Sequence, residues 1–198
     1  MNDTLFRILA IVIFITTSSI SIYYRRKADR VSGEKISLKE EGFPLTVTLR
    51  LLGLVFWLSV LAYMINPSWM AWSRVALPEW ARWTGVGFGV LGALMAYWVF
   101  SHLGNNVTPT VVTRENATLV TSGPYRWVRH PLYVMGLIAY TGFALIAENA
   151  FIAAAALVGF VFLAIRLQKE EANLIHRFGD SYREYMRRTG KFFPKLLR

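Results

Sequence analysis

Residues 131–178 read PLYVMGLIAYTGFALIAENAFIAAAALVGFVFLAIRLQKEEANLIHRF. Two apolar runs, 131–147 and 150–165, are separated only by Glu148 and Asn149. Runs of this length read as helices, and so short a link permits only a tight antiparallel hairpin. Beyond residue 165 a helical pattern continues through Arg166, Lys169 and Glu171 toward Arg177, so the last helix carries charged residues straight out of the apolar zone. Phe178-Gly179-Asp180 reads as a break, with Asp180 capping a short final helix that ends near Gly190.

Upstream, apolar segments at 5–24, 45–64 and 83–103 each approach the roughly 20 residues that span a bilayer core. The first lacks a strongly basic start and a small-residue cleavage site, so a retained helix is expected rather than a signal peptide. The 198 residues are 55% hydrophobic and 17% charged. That charged share is below the quarter usual in soluble domains, and the charges gather between the apolar runs. The expected fold is all-α: a polytopic membrane protein of about five transmembrane helices, with a C-terminal helical hairpin and a pocket at its cytoplasmic end. One membrane-embedded domain covers 1–198, with three helices in 1–103 and a connector, hairpin and basic tail in 104–198.

The charges set an orientation. Arg25, Arg26, Lys27, Arg30, Lys35 and Lys39 follow the first segment, Arg114, Arg126 and Arg129 follow the third, and the tail holds most of the rest. Only Arg7, Arg74 and Arg82 fall on the other side. The positive-inside rule then places the C-terminus in the cytoplasm and, with five spans, the N-terminus outside.

Several function classes drop out. The formal charge of +10 flanks membrane segments, so anionic lipid rather than nucleic acid is the expected partner. The absence of cysteine excludes disulfides, thiolate zinc sites and cysteine nucleophiles. His102, His130 and His176 are too scattered to suggest a metal site. Gly85, Gly87 and Gly89 form a GxGxG string inside an apolar helix with no strand before it, which suits helix packing rather than nucleotide binding. The Asn106 and Asn116 glycosylation-like triplets fall on the cytoplasmic side and read as chance matches.

The chemistry gathers between about 104 and 188. Pro131 suits the first turn of a helix, whose N–H groups attract an anion; His130 stands there with a donor, and Tyr125 and Tyr133 offer ring faces to a cation or an adenine. Arg166 and Glu170 are four apart and share a helix face, whereas Glu171 lies about 100° around. The hairpin brings Arg166 and Glu170 toward His130 and Tyr133, giving a pocket at the cytoplasmic surface that opens sideways to lipid. Singly, each feature has a plainer reading: Arg166 as a membrane anchor, Arg166–Glu170 as a surface pair worth at most about 1 kcal/mol, and Tyr125 as a belt aromatic.

Together, LVTSGPYRWVRHPLY at 119–133 and KEEANLIHRFGDSYREYMRRTGKFFP at 169–194 resemble the isoprenylcysteine carboxyl methyltransferases, within a wider group that includes phospholipid N-methyltransferases. The resemblance is specific over about 103–194. It implies an S-adenosylmethionine enzyme without a Rossmann fold, with the cofactor under the connector and against the last two helices. The implied cofactor contacts are Ala117, Thr118, Leu119, Val120, Tyr125, His130, Pro131, Leu132, Tyr133 and Glu170, with Thr113 aligning loosely. Arg166 is implied in substrate binding and, with Glu170, in catalysis; no metal is implied. There are departures: the family often has His-x-Leu-Val where this chain has Ala117-Thr118-Leu119-Val120, and Val107 replaces an aromatic after Leu103-Gly104-Asn105-Asn106.

The expected reaction is methyl transfer to a lipophilic or lipidated acceptor in contact with membrane lipids. A carboxylate, already ionised near neutral pH, needs alignment but no base. An amine would have to lose a proton and would be repelled by Arg166, which ranks N-methyl transfer second. Sterol-type NADPH reductases carry an RHxNY element; here Arg129-His130-Pro131-Leu132-Tyr133 favours the methyltransferase. A non-catalytic membrane protein on the same scaffold is the third class. Acceptor identity and oligomeric state stay open.

Overall fold

The computed structural model describes residues 3–32, 43–107 and 117–195. Thr113, Gly33, and the basic residues Lys35, Lys39 and Arg114 lie outside them. The described residues form six α-helices: α1 (Asp3–Ser32), α2 (Phe43–Ile65), α3 (Glu79–Leu103), α4 (Pro131–Ala147), α5 (Ala150–Phe178) and α6 (Asp180–Arg188). Among the described residues there is no strand, only isolated bridges at Arg74–Asn149 and Val128–Gly190. The all-α, membrane-type expectation therefore holds. Four helices (α1, α2, α3 and α5) are long and apolar enough to cross a membrane. At 17 residues, α4 extends about 26 Å, slightly less than the bilayer core.

Local signals explain the helix limits. Pro131 opens α4. Asn149 caps α5, its side chain accepting from the Ile152 N–H at 3.0 Å. Gly179, at φ 57°, ends α5 in a conformation glycine adopts freely. It also serves as the N-cap of α6, so Asp180 is the first helical residue and not the cap. α6 stops at Arg188, two residues short of the expected Gly190.

The bundle turns apolar side chains outward as well as inward. Ile8, Val12 and Ile15 on α1, Leu51, Leu54 and Leu58 on α2, and Leu157 and Val161 on α5 are exposed. Such stripes at helical spacing suit lipid contact. Between α3 and α4 the backbones nearly touch. A Cβ on Gly142 would lie 2.9 Å from the Gly85 carbonyl oxygen and 2.9 Å from the Gly89 nitrogen; one on Gly92 would lie 2.9 Å from the Ala139 Cβ. Two members of the GxGxG string therefore serve helix packing. Gly87 has open space around it.

The helix ends sort to two sides. At one, an ionic cluster, buried at Arg82 and Glu148 and open at Arg74 and Asp3, joins elements far apart in sequence. Arg82, 2% exposed, donates to Asp3 at 2.7 Å and lies 3.8 Å from Glu148. Arg74 donates to Glu148 at 2.7 Å, and Arg7 donates to the Met64 carbonyl at 2.8 Å. Glu148 is left-handed at φ 50°, an uncommon conformation for a side-chain-bearing residue; it aims the carboxylate inward and ends α4 so that α5 can return. The charge pattern only assigns Arg74 and Arg82 to one side; the structure pairs both with Asp3 and Glu148, Arg82 buried and Arg74 at the surface. The other side carries the end of α1, the connector, the start of α4, the end of α5 and α6.

Candidate active site

The connector is pinned before it reaches α4. Asn106 Oδ1 accepts from the Thr118 N–H at 3.0 Å and Asn106 Nδ2 donates to Thr118 Oγ1 at 3.3 Å, holding 117–120 along the end of α3. Gly123, at φ 58°, sits so close to His102 that any Cβ would fall 2.2 Å from the ring. Tyr125 follows in a 3-10 turn, Gly123–Arg126, and the buried Tyr185 hydroxyl donates to its carbonyl at 2.6 Å. Burial pushes the Tyr125, Tyr182 and Tyr185 phenols up, keeping them neutral hydrogen-bonding groups.

His130 is the hub, 4% exposed. Its Nε2 lies 3.2 Å from Glu171 Oε1 and its Nδ1 3.7 Å from Glu170 Oε1. Tyr133 donates to Glu170 Oε2 at 2.5 Å. Glu171 also accepts from Arg129 at 3.0 Å and lies 3.2 Å from Lys191 Nζ. The two glutamates, 100° apart on α5, therefore divide: Glu170 faces Tyr133, and Glu171 faces Arg129 and the tail. The tail continues the backbone pairing, with Arg129 N–H donating to Gly190 O at 2.9 Å and His130 N–H to Lys191 O at 3.2 Å. The Arg129 guanidinium also donates to the Thr189 carbonyl.

This geometry differs from the sequence reading at His130, which is expected there to offer a donor to an incoming anion. Its ring is instead directed at two carboxylates. Burial alone would lower its pKa, but Glu170 and Glu171 outweigh it and hold it above the ordinary value. A histidine raised in this way stabilises fully below the unfolded pKa of about 6.5 and loses that contribution as pH rises through the folded value. Thermal unfolding in detergent is therefore expected to show stability declining above about pH 6.5, with a flatter profile for His130→Asn. A wild-type profile no steeper than the variant's across that window would contradict the charged imidazole.

One cavity of about 620 Å³ takes in nearly all the candidate residues. Ala117, Thr118, Leu119, Val120, Tyr125, His130, Pro131, Leu132, Tyr133, Arg166 and Glu170 all line it; Thr113 lies outside the described residues. The cavity runs from this polar end to an apolar region walled by Phe14, Trp57, Phe143, Ala156 and Phe160. The sequence reading passes over three contributors. Tyr182 lines the cavity with a buried hydroxyl that has no hydrogen-bond partner. Tyr185 holds the Tyr125 carbonyl. Arg129 secures Glu171 and the tail. The YxxY spacing at 182–185 and the arginine before His130 were the available signals.

The helical bundle, with a cavity beneath a pinned connector that is charged at its mouth and apolar within, is that of an integral membrane protein. Residues 85–176, from within α3 through most of α5, match the model of the isoprenylcysteine carboxyl methyltransferase (ICMT) family. The chain is 32% identical to the human protein-S-isoprenylcysteine O-methyltransferase over 126 residues, 62% of this chain and 44% of that one. It is 37% identical over 83 residues to the cobalt-zinc-cadmium resistance protein CzcN of Cupriavidus metallidurans, 42% of this chain and 38% of that one. It thus spans less than half the length of either relative. In fold it is similar to the eukaryotic intramembrane Ras methyltransferase ICMT, with a TM-score of 0.56 and 23% identity over 94% of this chain and 67% of that one.

Proposed function

We propose that this chain transfers a methyl group from S-adenosylmethionine to the carboxylate of a lipophilic acceptor. The observation that carries this reading is the shared cavity. Arg166 and Glu170, one helical turn apart, line the same space as the 117–120 connector and the start of α4, and that space continues into an apolar channel.

The residues present fit the cofactor. The cavity falls in the range of small-molecule sites. Tyr182 has a buried, unsatisfied hydroxyl at its wall. Glu170 supplies a carboxylate for the cationic end, and the first turn of α4 suits a carboxylate at the other. When bound, S-adenosylmethionine supplies a methyl group made electrophilic by its sulfonium. Tyr133 and His130 hold Glu170 in place. The planar fork of Arg166 can grip an acceptor carboxylate bidentately and orient an oxygen in line with the methyl. No group has to remove a proton, because the carboxylate is ionised. Arg166 disfavours an ammonium in that position. The apolar channel takes the acceptor's hydrocarbon part and excludes water.

The cofactor end faces the cytoplasm in this reading, as the basic residues around it suggest. Single cysteines at Lys191 and Ser68, introduced into a chain that has none, are expected to react with an impermeant reagent only at Ser68 in intact cells; labelling at position 191 overturns the orientation. The function is tested by calorimetry of S-adenosylmethionine and NADPH on detergent-purified protein, followed by transfer of labelled methyl to membrane lipid extracts. Binding of NADPH alone, or base-stable N-methyl product in place of base-labile ester, refutes the proposal.

A further inference from the structure

At the end of α1, Arg26, Lys27 and Arg30 are exposed, as flanking basic residues usually are; Arg25 is half-buried and turned inward. Phe14, Thr17, Ser18, Ser21, Ile22 and Arg25 line the large cavity, which at this spacing is one face of the helix. Arg25 Nε donates to Ser21 Oγ at 3.2 Å, and its guanidinium lies 5.8 Å from the centre of the Phe100 ring. The side chain thus leans back along α1 into the cavity and away from the exposed basic cluster.

Arg166 lines the same cavity from α5, and the two guanidinium groups repel each other; Asp29, one turn further along α1, partly offsets Arg25, as Glu170 partly offsets Arg166. Like charges facing one space inside a low-dielectric bundle are costly. An anion placed between them removes the cost and accepts hydrogen bonds from both.

We propose that Arg25 is the second arm of an anion clamp, so that the acceptor's carboxylate is held between α1 and α5, with Arg25 selecting for an ionised headgroup. The inference rests on the methyl-transfer reading only for the acceptor's fate; the clamp itself is a binding property. It gives α1, which lies outside the family-matched segment, a specificity role. Ser21 and Phe100 keep the Arg25 fork aimed, and the apolar residues beyond receive the chain of the lipid.

The test compares hexadecanoate with hexadecanamide, an uncharged lipid of the same length, by calorimetry on detergent-purified protein without cofactor. Wild type is expected to bind hexadecanoate tighter by about tenfold or more, the scale of hydrogen bonds to a charged group. Arg25→Met should bring the two ligands to within about twofold, and Arg25→Lys should restore part of the preference because it keeps the charge but loses the fork. Arg50 lines only a neighbouring cavity of about 220 Å³, so Arg50→Met should leave the preference intact. Equal binding of the two lipids by wild type, an unchanged preference in Arg25→Met, or loss of preference in Arg50→Met overturns the clamp. Because no S-adenosylmethionine is present, a failure here is separate from a failure of methyl transfer.

Discussion

Arg166→Ala is expected to lower methyl transfer by about 10²–10³, the cost of removing a group that positions or stabilises the reacting charge, while S-adenosylmethionine binds with nearly unchanged affinity. Arg166 stands on the wall shared by the two cavities, with Tyr140, Ala156 and Leu163 beside it. It is one turn along α5 from Glu170 on the apolar side, the place an acceptor would reach from the channel. Arg166→Lys is expected to recover only part of the rate, since an ammonium cannot present two parallel donors to a carboxylate. A surface anchor would behave differently: alanine would then cost at most about 1 kcal/mol of stability and leave turnover alone. Parallel measurement of turnover and cofactor affinity on folded variants decides between the two.

The second large effect separates adjacent glutamates. Glu171→Ala is expected to destabilise the fold by about 3–5 kcal/mol, the usual cost of removing one partner from a buried ion pair. It would leave Arg129, Lys191 and His130 crowded around a vacated carboxylate position, and their side chains all reach it now. The tail, whose backbone pairs with Arg129 and His130, should loosen with it. Glu170→Gln is expected to change stability far less but to weaken S-adenosylmethionine, because it removes the carboxylate that would face a cationic group in the cavity. Denaturant unfolding in detergent and calorimetry on each variant provide the readouts. If both substitutions act equally on stability and on affinity, the division of labour is wrong.

Much of this architecture is legible in the sequence because it is written in local terms. Pro131, the Glu148-Asn149 link and the apolar runs place the hairpin, and α4 is found at its expected limits, 131–147. The spacing of Arg166 and Glu170 puts them on one face. What escapes is set by long-range contact. Asp3 and Arg82 are 79 residues apart, and no pattern in either segment announces their pairing. Likewise Glu170 and Glu171 look interchangeable as letters; their roles differ because one faces α4 and the other faces the returning tail. Arg25 is hidden for another reason. It sits among exposed basic residues that the positive-inside rule fully explains, so its inward turn leaves no mark on composition. The departure at Ala117-Thr118 is legible, but the Asn106 hydrogen bonds that hold Thr118 against the end of α3 are not.

The ionic cluster around Arg82 also has a mechanical meaning. It fixes the first turn of α1, through Asp3, to α3 and to the α4–α5 turn. Arg25 lies 22 residues further along the same helix, about 33 Å away at 1.5 Å per residue. α1 is in effect a lever with its fulcrum at Asp3, and a tilt of about 5° displaces Arg25 by roughly 3 Å over that arm. That is the difference between a guanidinium in contact with a carboxylate and one out of reach. In the proposed clamp, the grip on an acceptor would thus be set from the opposite end of α1, by the tightness of a joint that lines no part of the cavity.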